Sequence, residues 1–165
     1  MAELHLDTLS FDGEATSSLD LSELVGLPLT TLTLDNTNIV IDATILGNIP
    51  ATNLLTLSFQ NLSVPADTDF SGFESLEELN VSNNTAFTIS SSDVFPSSLL
   101  SLDISGCTSI TELSSVPTTL TTLSINGMNL IDKTAFGDFS DLLVLNANSS
   151  SISDEDMPYL AELSS

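Results

Sequence analysis

Basic residues are almost missing from this chain of 165 residues. Lys133 is the one Lys or Arg, against 23 Asp and Glu, for a formal net charge of −22. That imbalance excludes nucleic acid as a partner, because phosphate contacts are made by Lys and Arg and the long-range field repels the backbone. It excludes attraction to an anionic membrane surface for the same reason. No apolar run approaches the roughly 18 residues of a membrane span, so no membrane insertion is expected, and the first residues carry no signal-peptide pattern. Tryptophan is absent, and tyrosine, histidine and cysteine occur once each. The lone Cys107 cannot close an internal disulfide, and it reads as a buried, inert thiol. Neither a glycine-rich phosphate loop nor a clustered Cys/His zinc spacing occurs.

What replaces the missing bases is serine and threonine, together about 28% of the chain, while acids stay near 14%, close to their ordinary share. Hydrophobic residues make up 41%, enough for a continuous core and too many for a disordered polymer.

Those hydrophobic residues return in one frame. Leu29-x-x-Leu32-x-Leu34 is followed by Leu54-x-x-Leu57-x-Phe59, Leu76-x-x-Leu79-x-Val81, Leu99-x-x-Leu102-x-Ile104, Leu120-x-x-Leu123-x-Ile125 and Leu142-x-x-Leu145-x-Ala147. Leu4-x-Leu6 with Phe11 opens the chain and Leu160-x-x-Leu163 closes it. A period of this length is the signature of a solenoid. The alternation after the second leucine has period two, so each frame predicts a short strand with its leucines inward, stacked on the next in a parallel sheet. Hydrophobic-proline pairs mark the return toward several strands: Leu27-Pro28, Ile49-Pro50, Phe95-Pro96 and Val116-Pro117. Phe73 and Phe139, each three residues ahead of a frame, are expected to stack as a partial aromatic spine. Ser18–Leu24 has the pattern of two helical turns, and Ser153 followed by Asp154, Glu155 and Asp156 reads as a helix start.

With Asn84 at the turn after its strand, and Thr37, Cys107 and Ser150 as small polar substitutes there, the frame resembles the L-x-x-L-x-L-x-x-N/C-x-L signature of leucine-rich repeat proteins over essentially the whole chain. Leu9, Leu62 and Met128 are read as apolar departures at the same position. The resemblance implies an α/β repeat fold: a leucine-rich repeat solenoid with a concave parallel β-sheet of about seven short strands and a convex side mostly of loop, 3₁₀ and short helix. A single domain of about seven repeats fills residues 1–165. It is truncated at both ends, so the sequence reads as a fragment of a longer solenoid.

The resemblance also implies that partners bind the concave sheet. Its outward positions are read as Glu3, Thr31, Thr56, Glu78, Ser101, Thr122 and Val144 in one row. The next row is His5, Thr33, Ser58, Asn80, Asp103, Ser124 and Asn146, and the third is Asp7, Asp35, Gln60, Ser82, Ser105, Asn126 and Asn148. This face is small, polar and acidic. It suits a protein or glycan partner, the protein a basic one, in recognition or adhesion. Leu55, Leu100, Leu143 and Val144 look exposed in the pattern, and packing beneath a flanking loop is expected to cover them. The alternative is a structural scaffold that self-associates end to end through its open ends.

Catalysis is not expected. His5 and Cys107 would stand about 19 Å apart at four sheet steps, far beyond the reach of a dyad. The remaining resource is carboxylates: Asp7 and Asp35, read as equivalent on neighbouring coils, could flank a glycan substrate or share a cation. Glu78 with Asp103 is a looser pair, and Asp67-Thr-Asp69 and Asp154-Glu-Asp156 are acidic loops. No cofactor and no built-in metal are expected, and calcium is the cation such oxygen donors would suit. Glycosylation sequons occur at Asn61, Asn80, Asn83 and Asn148, no more than chance supplies. The dearth of bases among abundant Ser, Thr, Asn and Asp favours an extracellular or cell-surface location.

Overall fold

The structure is a computed structural model that describes residues 6–13 and 21–161. Among them are seven three-residue strands: β1 (Thr8–Ser10), β2 (Thr31–Thr33), β3 (Thr56–Ser58), β4 (Glu78–Asn80), β5 (Ser101–Asp103), β6 (Thr122–Ser124) and β7 (Val144–Asn146). They form one parallel sheet in chain order. The register places the second leucine of every frame in a single file, from Leu9 through Leu32, Leu57, Leu79, Leu102 and Leu123 to Leu145. The five inner members of that file are buried, whereas Leu9 and Leu145, on the edge strands, are half-covered. One residue ahead of each strand, a carbonyl takes two N–H donors from the next coil. Leu55 O accepts from Glu77 and Glu78, Glu77 O from Leu100 and Ser101, and Leu100 O from Thr121 and Thr122.

The first coil differs from the expected frame. Thr8, Leu9 and Ser10 pair with Thr31, Leu32 and Thr33, so the opening frame is Leu6-x-x-Leu9-x-Phe11 and not Leu4-x-Leu6. Leu9 is therefore a strand leucine and not a turn residue. Asp12, not Asp7, stands level with Asp35.

Leaving the strand, the backbone turns left-handed two residues past the last apolar position of each frame. The residues there are Gly13, Asn36, Asn61, Asn83, Gly106, Gly127 and Ser149, with φ between 53° and 107°. Glycine and asparagine tolerate that region best, which explains six of the seven choices. At Gly106 a side chain would also run into the Asn83 amide.

One buried amide holds two coils together at this turn. Asn84 Nδ2 donates to Phe59 O at 2.7 Å and Val81 O at 2.8 Å, and its Oδ1 accepts from Leu62 N at 3.1 Å and Val64 N at 3.2 Å. Cys107, at the equivalent place, reaches the preceding coil with its thiol, Sγ to Val81 O at 3.1 Å. Thr37 and Ser150 bond only to carbonyls of their own turns, Leu34 O and Ala147 O. The polar ladder is therefore broken everywhere except around Asn84.

The convex return is built on a three-residue apolar step. Leu21, Leu24 and Leu27, then Phe70, Phe73 and Leu76, then Phe136, Phe139 and Leu142 are joined by N–H to C=O bonds three residues back. That spacing eclipses i and i+3 on one side of the chain, here the core side. Phe73 and Phe139 are buried as expected, but the rings that meet are Phe59, Phe70 and Phe87, at centroid separations of 6.3 and 6.2 Å. Of the expected helical turns near Ser18, residues 14–20 lie outside the described residues and Ser22–Leu24 is a 3₁₀ turn.

An unexpected helix, α1 (Ala43–Asn48), starts where Asp42 Oδ1 caps Ile45 N at 2.8 Å. At the other end, Ser153 opens a 3₁₀ turn leading into α2 (Met157–Ala161), its N–H and hydroxyl both donating to Asp156 Oδ2. Lys133 Nζ donates to the same oxygen at 2.9 Å, tying this segment to the coil before it.

Candidate recognition surface

Side chains at the first and third position of each strand point away from the core, because neighbouring residues on a strand face opposite ways. With the corrected register the concave face begins at Thr8, Ser10 and Asp12. Glu3 and His5 lie outside the described residues. Asp7 sits one row ahead, level with Thr30, and its carbonyl accepts from Thr30 N and Thr31 N. The sheet brings the other expected residues together as read, from Thr31, Thr33 and Asp35 across to Asn146 and Asn148.

The face is tied laterally from coil to coil. Asp35 Oδ1 accepts from Ser58 Oγ at 2.6 Å and Gln60 N at 2.8 Å. Asn126 donates to Ser105 Oγ, Asn146 to Ser124 Oγ, and Asn148 N to Asn126 Oδ1. Asn80 and Asp103 each accept from the N–H two residues on, Ser82 and Ser105. Gln60, Ser82 and Ser105 thus have their backbones fixed by the side chains beside them. Thr56, Ser58, Glu78, Asn80, Ser101, Asp103 and Ser124 surround a shallow depression of about 310 Å³ in the middle of the face. Glu78 and Asp103 share it without facing each other: in register Glu78 stands opposite Ser101, and Asp103 opposite Asn80.

The carboxylate pair expected at Asp7 and Asp35 is not formed. The two residues occupy different rows, and the level partner, Asp12, accepts from Asn36 Nδ2 at 2.8 Å. That bond continues a surface file in which Asn61 Nδ2 donates to Asn36 Oδ1. The acidic loops hold backbone in place. Asp67 Oδ1 accepts from Ser90 N on the next coil, and Asp69 Oδ1 from Ser71 N; the Ser71 hydroxyl first, and then its N–H, hold the Asp69 carboxyl below its usual range. Asp156 is held low first by its bond to Lys133 and then by Ser153 N. Among the described residues no three His, Cys, Asp or Glu side chains converge as a metal site would require. Cys107 is buried, and burial pushes its thiol up to about 11.

One expectation about the rim is overturned. Leu55, Leu100, Leu143 and Val144 are not covered by a loop; they remain 40, 43, 83 and 44% exposed. The convex return runs behind the sheet, leaving the position just ahead of each strand open. The sequence pattern marked these residues as outward, and among the described residues no element covers them.

Two solved structures share this fold. An internalin, InlF, from Listeria monocytogenes is 26% identical over 88% of this chain and 42% of its own, with a TM-score of 0.60. The leucine-rich repeat domain of APL1B is 19% identical over 88% of this chain and 48% of its own, with a TM-score of 0.58. The chain spans less than half the length of either structure. No family model and no curated protein sequence matches it.

Proposed function

Taking the chain as the leucine-rich repeat protein that its frame, its sheet and its structural neighbours make it, we propose that it is a non-enzymatic recognition module that receives a cationic surface of a partner protein on the concave sheet. The fold is that of protein-interaction modules in general. The observation that carries the finer reading is the charge of the face. Asp35, Glu78 and Asp103 lie on it, and the single base of the whole chain, Lys133, is engaged with Asp156 elsewhere. A partner that brings Lys and Arg would gain both steering and complementarity. The small side chains leave the sheet open to a convex partner rather than filling it with anchors of their own. A role outside the cell, in adhesion, is supported by the composition, poor in bases and rich in Ser, Thr, Asn and Asp.

The test is surface plasmon resonance against a cationic protein probe of pI above 9 and a panel of neutral glycans. The protein should bind with an on-rate that falls as ionic strength rises. Asp35→Asn, Glu78→Gln and Asp103→Asn together should weaken it at least tenfold, while keeping the Oδ1 acceptors that order the face. Asp93→Asn, Asp138→Asn and Asp141→Asn, which remove the same charge from the convex side, should change affinity less than twofold. Equal losses from the two triple variants would mean unspecific charge attraction, and binding to a neutral glycan alone would replace the protein partner.

A further inference from the structure

The residues just ahead of the strands form a row of their own beside the concave face: Thr30, Leu55, Glu77, Leu100, Thr121 and Leu143. Leucine occupies every second place from the third coil to the seventh, and each of the three is at least 40% exposed. Adjacent coils are about 4.8 Å apart, so the leucines recur about every 9.6 Å over a span of about 19 Å. Glu77 stands between two of them, Glu78 lies in the adjoining row and Asp103 in the row beyond. Three large apolar side chains at one interval, on a rim without cover and interleaved with acids, are a surface shaped for something specific.

We infer that this row docks a cationic amphipathic helix of a partner protein, laid along the solenoid axis with apolar residues at i, i+7 and i+14. This rests on the concave face being the binding face for a basic partner. On a helix, seven residues rise about 10.5 Å, within a tenth of the leucine interval, and a face repeating every seven residues is what an amphipathic helix presents. An extended segment suits the row less well. The carbonyls of Thr30, Leu55, Glu77, Leu100 and Thr121 each already take two N–H donors, leaving little backbone for such a segment to pair with, whereas a helix satisfies its own. Charge selects the sign of the partner: a second copy of this chain would bring another −22 and an anionic lipid surface would be repelled, while Lys or Arg flanking the helix leucines would meet Glu77, Glu78 and Asp103.

Three labelled 21-residue peptides of related composition test the inference by fluorescence anisotropy at 0.15 M salt. The first carries Leu at positions 4, 11 and 18 with Lys beside them. The second packs its leucines at 8, 11 and 15 of the same face, and the third is the first with a central proline. The first should bind at least tenfold more tightly than the others. Leu55→Ser, Leu100→Ser and Leu143→Ser together should abolish that preference; these side chains are exposed, and an unchanged circular dichroism spectrum verifies the fold. Glu77→Gln, Glu78→Gln and Asp103→Asn should weaken all three peptides and leave the preference in place. Equal binding of the three peptides, or a preference that survives the leucine substitutions, overturns the docking row while the acidic face stands. If the acid substitutions change nothing, the reading of the concave face falls with it.

Discussion

Asn84→Ala would remove a buried side chain that both donates to and accepts from the backbone of the neighbouring coil. Its carboxamide serves five backbone groups. Two of them keep another partner after the substitution: Val81 O still accepts from Cys107 Sγ, and Ser82 O from Asn61 N. Phe59 O, Leu62 N and Val64 N depend on Asn84. A buried backbone group left unpaired costs roughly 1–3 kcal/mol, and the three belong to one turn that can relax and admit water, so the sum is not additive. A loss of about 3–5 kcal/mol is expected, large against the stability of a domain of this size. Urea denaturation followed by circular dichroism measures it. Because coils contact only their neighbours, weakening this joint should also split the transition and lower the apparent m-value. Asn84→Asp should be worse, since a carboxylate oxygen would replace the donor aimed at Phe59 O and Val81 O. A loss below 1 kcal/mol for Asn84→Ala with an unchanged m-value would refute the account and leave the sheet hydrogen bonds and the apolar core as what joins these coils.

Ser149 is the one residue of the left-handed column that is neither Gly nor Asn, so Ser149→Gly should stabilise the protein by up to about 1 kcal/mol in the same denaturation assay, the relief of a left-handed side-chain-bearing residue less glycine's extra chain entropy, whereas Gly106→Ala should destabilise it. Asp156 has its carboxyl held low in the folded state, so its contribution is present above the ordinary Asp range near 3.8 and is lost as pH falls through the folded value. Subtracting the stability-against-pH curve of Lys133→Met from that of the wild type should isolate this acid-side fall, and parallel curves would show that the ion pair contributes nothing. Cys107, buried and with its thiol raised to about 11, should resist a thiol reagent at pH 8 in the folded protein and react fully in denaturant. Stoichiometric labelling of the native protein would show that the fifth coil opens.

Most of the sheet was legible because six frames repeat the same two leucines in phase, and a slip of one residue would turn the whole buried file outward. The first coil was ambiguous: Leu4, Leu6 and Leu9 support two overlapping frames, and only pairing of Leu9 with Leu32 decides between them. The choice of frame moves the first acid of the third row from Asp7 to Asp12. The left-handed column was invisible for a different reason. Asn, Gly and Ser are ordinary turn residues, and their alignment two places beyond Leu34, Phe59, Val81 and their counterparts means little until the coils are stacked. Asp42 ahead of Ala43 is a helix cap written in the sequence itself. The exposure of Leu55, Leu100 and Leu143 turned on where the return chain runs, which no local pattern states.

The Asn84 amide and the Phe59–Phe70–Phe87 contacts fall on the same stretch, the third and fourth coils. The solenoid therefore has a keystone near its middle, with plainer joints on either side. In a stack whose units touch only their neighbours, such an arrangement makes the ends the first parts to open and the middle the last. Backbone amides of Leu62 and Val64 should exchange with solvent more slowly than those of Leu34 or Ile125. A partner gripping the whole concave face would then stiffen the outer coils far more than the centre, so the molecule would register its ligand chiefly at its two extremities.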